Sequence, residues 1–283
     1  MGFRTCSFVV LMAFFLTSVL WNSLPARIAF MLFAAGLAYG GVWEFLTLTE
    51  QLGRKSFRRA TAIAGALIVA LCFVINSFHS DLHVRALVMI SVIAVACWVS
   101  VLFCGNSRNY FEKILNSLPA LALIVLPLLP LVMIYEGKGQ HSLPGNYLLL
   151  YLILVTKSGD TGAYLTGTLF NWLLKGHNHK IVPSISPKKS WEGTIGGLIL
   201  SVVLSVVLWK YMLGLQSMTI PVIAGAVLFL GGFAGDLAES VMKRIVGVKD
   251  SGRIFPGMGG VLDVVDSLLL NAPLFYFFFV PFI

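Results

Sequence analysis

The chain reads as an all-α, polytopic integral membrane protein of about nine transmembrane helices, with its N-terminus in the cytoplasm. Three observations predict this. Of 283 residues, 58% are hydrophobic and only 11% charged, whereas soluble domains carry about 25% charged residues. Apolar runs recur at the roughly 20-residue length that a bilayer requires. The basic residues concentrate in alternate loops, which is how cytoplasmic loops are marked.

The spans are placed at 5–22, 28–48, 61–79, 84–104, 114–135, 146–173, 193–213, 218–237 and 261–281. The first follows Arg4 with "SFVVLMAFFL". The "NSLPARIAF" after it makes a poor cleavage site, so it is read as a retained span and not a signal peptide. The second carries Glu44 near its cytoplasmic end, within reach of the headgroup region. The sixth is long and interrupted by "KSGDTG", where it is expected to bend or break in two. Residues 1–135 hold five helices with little polar chemistry, and residues 136–283 hold most of it, within one continuous membrane domain.

Orientation follows from the basic residues. Arg4 and the loops after spans 2, 4, 6 and 8 hold 15 of the 20 lysines and arginines, and the opposite loops hold Arg27, Arg85, Lys138 and Lys210. The net charge of +8 is therefore a basic cytoplasmic face, suited to lipid headgroups or nucleotide phosphates, and is no sign of nucleic-acid binding. Cys6, Cys72, Cys97 and Cys104 lie in spans or at their ends without metal-ligand spacing, and read as small buried hydrophobes. There is no internal repeat and no low-complexity linker.

The acids are the informative residues. Of only 12, Glu44, Asp160, Asp236, Glu239, Asp263 and Asp266 lie in or at the edge of apolar helices, where a carboxylate costs roughly 2.5–3.5 kcal/mol. Asp236 and Glu239 are spaced i, i+3, as are Asp263 and Asp266, so each pair shares a helix face. The short segment 240–262 lets the two pairs meet at one membrane boundary. They are either helix-end salt bridges, with Lys243, Arg244 and Lys249 supplying charge, or oxygen ligands for a hard divalent cation. Two loops favour the second reading. "PGMGG" at 256–260 puts glycines at a helix start, and "HKIVPSISPKKSWEGTIGG" at 179–197 combines Ser184, Ser186, Lys188 and Lys189 with a helix start. Backbone N–H groups and cations of this kind suit a polyphosphate. Trp191 reads as an interfacial anchor.

"SVMKRIVGVKDSGRIFPGMGGVLDVVD" (240–266) resembles the signature of the phosphatidate cytidylyltransferase, or CDP-diacylglycerol synthase, family. Ser240, Lys243, Arg244, Lys249, Asp250, Gly252, Pro256, Gly259, Gly260, Asp263 and Asp266 fall on it in register. "GDTGAYLTG" (159–167) and "SPKKSWEGTIGG" (186–197) look like two further motifs of that family. The match covers the C-terminal half. Three positions depart from the pattern: Met258 stands where the family has His, Val264 where it has Arg, and Thr168 where a basic residue is common.

The resemblance implies that CTP and phosphatidic acid give CDP-diacylglycerol and pyrophosphate, at the cytoplasmic face of the inner (cytoplasmic) membrane. It implies Mg²⁺ or another hard divalent cation on Asp236 and Asp263, with Glu239 and Asp266 as further ligands, and leaves room for a second cation. Lys188, Lys189, Lys243, Arg244 and Lys249 would clamp phosphates, aided by Ser186, Gly259 and Gly260. Asp160 would line the same cavity, paired with Lys157. A homodimer is compatible with the resemblance. The competing readings are a CTP-dependent enzyme acting on another lipid, such as a polyprenol kinase-like or archaeol-type protein, an inactive homologue, and an ion-coupled transporter. The Asp-Gly-x-x-Ala-Arg motif of CDP-alcohol phosphotransferases is absent.

Overall fold

The structure is a computed structural model that describes residues 16–17, 19–21, 23–78, 108–137, 143–175, 178–255 and 259–283. The expected span 84–104 and most of 5–22 lie outside these residues, as do Cys6, Cys97, Cys104 and Met258. The helices are α1 (Leu24–Gln51), α2 (Arg58–Phe78), α3 (Arg108–Ala120), α4 (Leu126–Glu136), α5 (Gly145–Leu173), α6 (Trp191–Tyr211), α7 (Thr219–Val246) and α8 (Leu262–Phe278). Strands β1 (Lys180–Val182) and β2 (Ser186–Ser190) form one antiparallel hairpin before α6, the only strands among the described residues. Among the described residues, six stretches are long and apolar enough to cross a membrane: Leu24–Gln51, Arg58–Ser77, Asn109–Glu136, Trp191–Tyr211, Thr219–Val246 and Leu262–Phe282. The chain divides into two compact units, 1–137 with 246–265 and 138–245 with 266–283.

In the first unit, Ser23 caps α1 by accepting a hydrogen bond from the Ala26 N–H, with Pro25 in the opening turn. Gly53, at φ +79, follows the end of that helix. Pro119 and Pro130 sit inside helices, and the backbone passes from α3 to α4 through a π-helical turn at Leu121–Val125. Each proline removes an i→i−4 donor, and a π turn is one way to absorb the misfit. That turn packs closely. A Cβ on Gly41 would lie 2.9 Å from Ile124, and one on Gly65 2.9 Å from Val125. At the other end, the Arg27 guanidinium forks onto both oxygens of Glu136 and also reaches Ser77. One ion cluster therefore joins α1, α2 and α4.

In the second unit, α5 runs unbroken through "KSGDTG", so the helix does not break in two there. The polar groups there bond along the helix: Ser158 donates to the Val155 carbonyl, Thr161 to the Lys157 carbonyl, and Lys157 pairs with Asp160. The glycines serve packing. A Cβ on Gly193 would stand 2.7 Å from the Ala163 carbonyl, and one on Gly162 3.1 Å from the Gly196 carbonyl. Only small residues allow α5 and α6 to approach so closely. Buried hydroxyls add direction: Ser201 donates to the Gly225 carbonyl at 3.0 Å, and Ser205 meets Tyr151 at 2.6 Å. Helix α7 continues beyond the expected 237 to Val246, so Lys243 and Arg244 lie in its last turn.

Candidate active site

Ser190 caps α6 by accepting from the Gly193 N–H, so the hairpin that precedes it leads straight into the helix. Arg244 donates from Nε to the Ile185 carbonyl and ties the hairpin turn to the end of α7. This fixes Lys189 on β2 beside α7. Its Nζ lies 2.7 Å from Asp236 Oδ2, donates to the Phe233 carbonyl at 3.2 Å, and sits 4.1 Å from the centre of the Phe233 ring. Ser186 and Lys188 are on the same strand, with Lys188 exposed.

Asp236 and Glu239, three residues apart, share one face of α7. Asp266 comes from α8. One oxygen from each of the three lies within 4.8 Å of the others. Gly235 makes this approach possible: a Cβ there would stand 2.4 Å from the Asp266 carbonyl oxygen. Deeper in the unit, the fully buried Asn271 donates to the Leu228 carbonyl at 2.7 Å and to Thr156 at 2.9 Å, joining α8 to α7 and α5.

Three lysines attend the acids. Lys189 pairs with Asp236, and Lys243 pairs with Glu239 at 2.8 Å. Lys157 reaches Ser267, the neighbour of Asp266, at 2.8 Å, and Asp160 at 3.2 Å. The expected Lys157–Asp160 pair is therefore present. The three acids are hard oxygen donors, with Glu239 and Asp266 buried and Asp236 open on one side. That donor set suits Mg²⁺, which takes one or two carboxylates and leaves its other positions to water and phosphate.

The remaining expected residues lie in the first unit. Asp263 Oδ2 accepts from the Ser251 N–H at 2.9 Å, the Ser251 hydroxyl at 2.8 Å and the Gly260 N–H at 2.8 Å. Gly259 adopts φ +100, and Lys249 is exposed in the loop before it. Glu44, read from sequence as a headgroup-facing acid, is instead buried. It accepts from the Ser251 hydroxyl and from the Val261 and Leu262 N–H groups at 2.9–3.0 Å. It thus satisfies free donors at the start of α8. Gly252 and Gly260 leave room for it, since a Cβ on either would fall 2.2 Å from a Glu44 oxygen. A single acid near a helix end gives no sequence signal of such a partner; the glycines around it are the nearest one.

The sequence profile of the cytidylyltransferase family matches residues 2–282. A phosphatidate cytidylyltransferase of Staphylococcus saprophyticus is 32% identical over 274 residues, covering 97% of each chain. One from Haemophilus influenzae is 31% identical over 268 residues, 88% of this chain and 89% of its own. The uncharacterized protein YnbB of Escherichia coli is 38% identical over 134 residues, 47% of this chain and 43% of its own.

Proposed function

The chain belongs to the cytidylyltransferase family, and from that premise we propose that it makes CDP-diacylglycerol at the cytoplasmic face of the inner membrane, using a divalent cation held by Asp236, Glu239 and Asp266. It is a membrane protein and a CTP-dependent nucleotidyltransferase, with CTP and phosphatidic acid as substrates. An oxygen of the lipid phosphate attacks the α-phosphorus of CTP. The bond from that phosphorus to the bridging oxygen breaks, and pyrophosphate leaves. Such a transfer needs positioning and charge neutralisation more than covalent help from the protein.

The observation that carries the reading is the meeting of three carboxylates from two apolar helices within 4.8 Å, flanked by lysines. Hard oxygen ligands at a membrane helix end have little structural reason to gather. When bound, a cation such as Mg²⁺ supplies charge neutralisation for the triphosphate and its leaving pyrophosphate. The protein's own groups do the rest. Lys189 aligns Asp236 from a short hairpin, and Lys243 does so for Glu239. Lys188 and Arg244, both exposed, offer cations to nucleotide phosphates. Ser186, Lys249, Gly259, Gly260 and Asp263 keep their sequence-based assignment to phosphate and cation binding, and Asp160 its assignment beside Lys157. The basic loops support the cytoplasmic orientation.

The test incubates purified protein with labelled CTP, phosphatidic acid and Mg²⁺. A labelled CDP-lipid that requires all three is expected. Label in the lipid fraction only with a polyprenol, or none from monodisperse protein, would refute the substrate assignment.

A further inference from the structure

Lys157 stands out because its partner on its own helix is poor and its stronger contact lies beside the acidic cluster. It lies 12 residues after the first residue of the 29-residue helix α5, so about 18 Å of helix separates it from the nearer end. Its partner Asp160 is on its own helix at i, i+3, at 3.2 Å, with the side chains 40% and 49% exposed. An open pair of that kind contributes little to stability. The stronger contact is to Ser267 at 2.8 Å. Ser267 is fully buried and adjoins Asp266, so it aims the ammonium at the edge of the acidic cluster. The other two lysines at the cluster are bound to its acids directly.

Resting on the cytidylyltransferase reading, we propose that Lys157 receives the phosphomonoester of the lipid substrate. Three gathered carboxylates repel a lipid phosphate, and a cation beside them offsets that repulsion where the nucleophile arrives. The incoming phosphate replaces the long Asp160 contact and leaves the Ser267 contact in place. Nucleotide phosphates come from water and meet the cations at helix and hairpin ends, Lys188, Lys243 and Arg244. Lys157 attends the Asp266 side of the cluster, whereas Lys189 and Lys243 attend Asp236 and Glu239, so the two substrates meet different cations.

The test compares Lys157→Met and Lys157→Arg with wild type in mixed micelles. Lys157→Met raises KM for phosphatidic acid by about 10- to 100-fold, the scale of one charge-assisted hydrogen bond. KM for CTP and the Mg²⁺ requirement change by less than about twofold. Lys157→Arg recovers most of the lipid affinity. An unchanged lipid KM, or equal rises for lipid and CTP, overturns the assignment, as does a shifted Mg²⁺ requirement. Binding of labelled phosphatidic acid without CTP is read in parallel. A wild type that binds the lipid but forms no CDP-lipid refutes the family reaction for this chain, while loss of binding in Lys157→Met still supports the lysine's role.

Discussion

Replacing Gly235 by alanine tests how tightly the acidic cluster depends on backbone contact. The new Cβ would stand 2.4 Å from the Asp266 carbonyl oxygen, 3.2 Å from its carbon and 3.3 Å from the Ser267 Cα, against 3.4 Å for an ordinary contact. All three are backbone or Cα atoms, so no side chain can swing away. Relief requires α7 and α8 to part by about 1 Å, a strain of about 1–3 kcal/mol. Metal–ligand distances tolerate only about 0.2 Å, so moving Asp266 by that amount from Asp236 and Glu239 degrades the ligand set. A misplacement of about 1 Å typically costs 10²-fold in rate. We expect Gly235→Ala to insert and purify normally, to lose about 100-fold in kcat/KM, and to need several-fold more Mg²⁺ for half-maximal activity. The assay is a Mg²⁺ titration of CDP-lipid formation in detergent. Activity within threefold of wild type at an unchanged Mg²⁺ requirement would refute the reasoning that this contact sets the cluster.

Other substitutions probe separate parts. Asp266→Asn keeps the shape of the side chain but removes a charge, so turnover should fall at least about 100-fold and the Mg²⁺ curve should move to higher concentration; an unchanged curve argues against a ligand role. EDTA should abolish CDP-lipid formation and added Mg²⁺ restore it, and activity surviving chelation would exclude the cation. Glu44→Gln turns one acceptor oxygen into a donor facing N–H and O–H donors, at a cost of about 3 kcal/mol. That predicts a thermal midpoint about 6–12 °C lower in detergent, and a shift under about 2 °C would show that those three hydrogen bonds carry little.

The helices were legible because their cause is additive. Runs of apolar residues predict spans whatever packs against them, and the expected 28–48, 193–213 and 261–281 recur within a few residues as Leu24–Gln51, Trp191–Tyr211 and Leu262–Phe282. Two features depended on partners and were not legible. The "KSGDTG" stretch looks like a break by composition, yet Ser158 and Thr161 turn their hydroxyls onto their own helix and the backbone continues. Glu44 looks like a residue able to reach water, yet it is held by groups more than 200 positions later. At the site, the i, i+3 spacing of Asp236 and Glu239 was readable as a shared face. The choice of Asp266 to join them depends on Gly235, Asn271 and Ser267, whose roles are set by the register of α7 against α8.

The hold of Glu44 on Ser251, Val261 and Leu262 spans 207 to 218 positions of chain. At a ribosomal pace of about 5–20 residues per second, the carboxylate enters the bilayer some 10–40 s before its donors are made. Throughout that interval the nascent protein carries an acid with no backbone cap to receive it. A chain that stops short of residue 251 never acquires one, so the settling of this glutamate waits on the last part of the chain to be made.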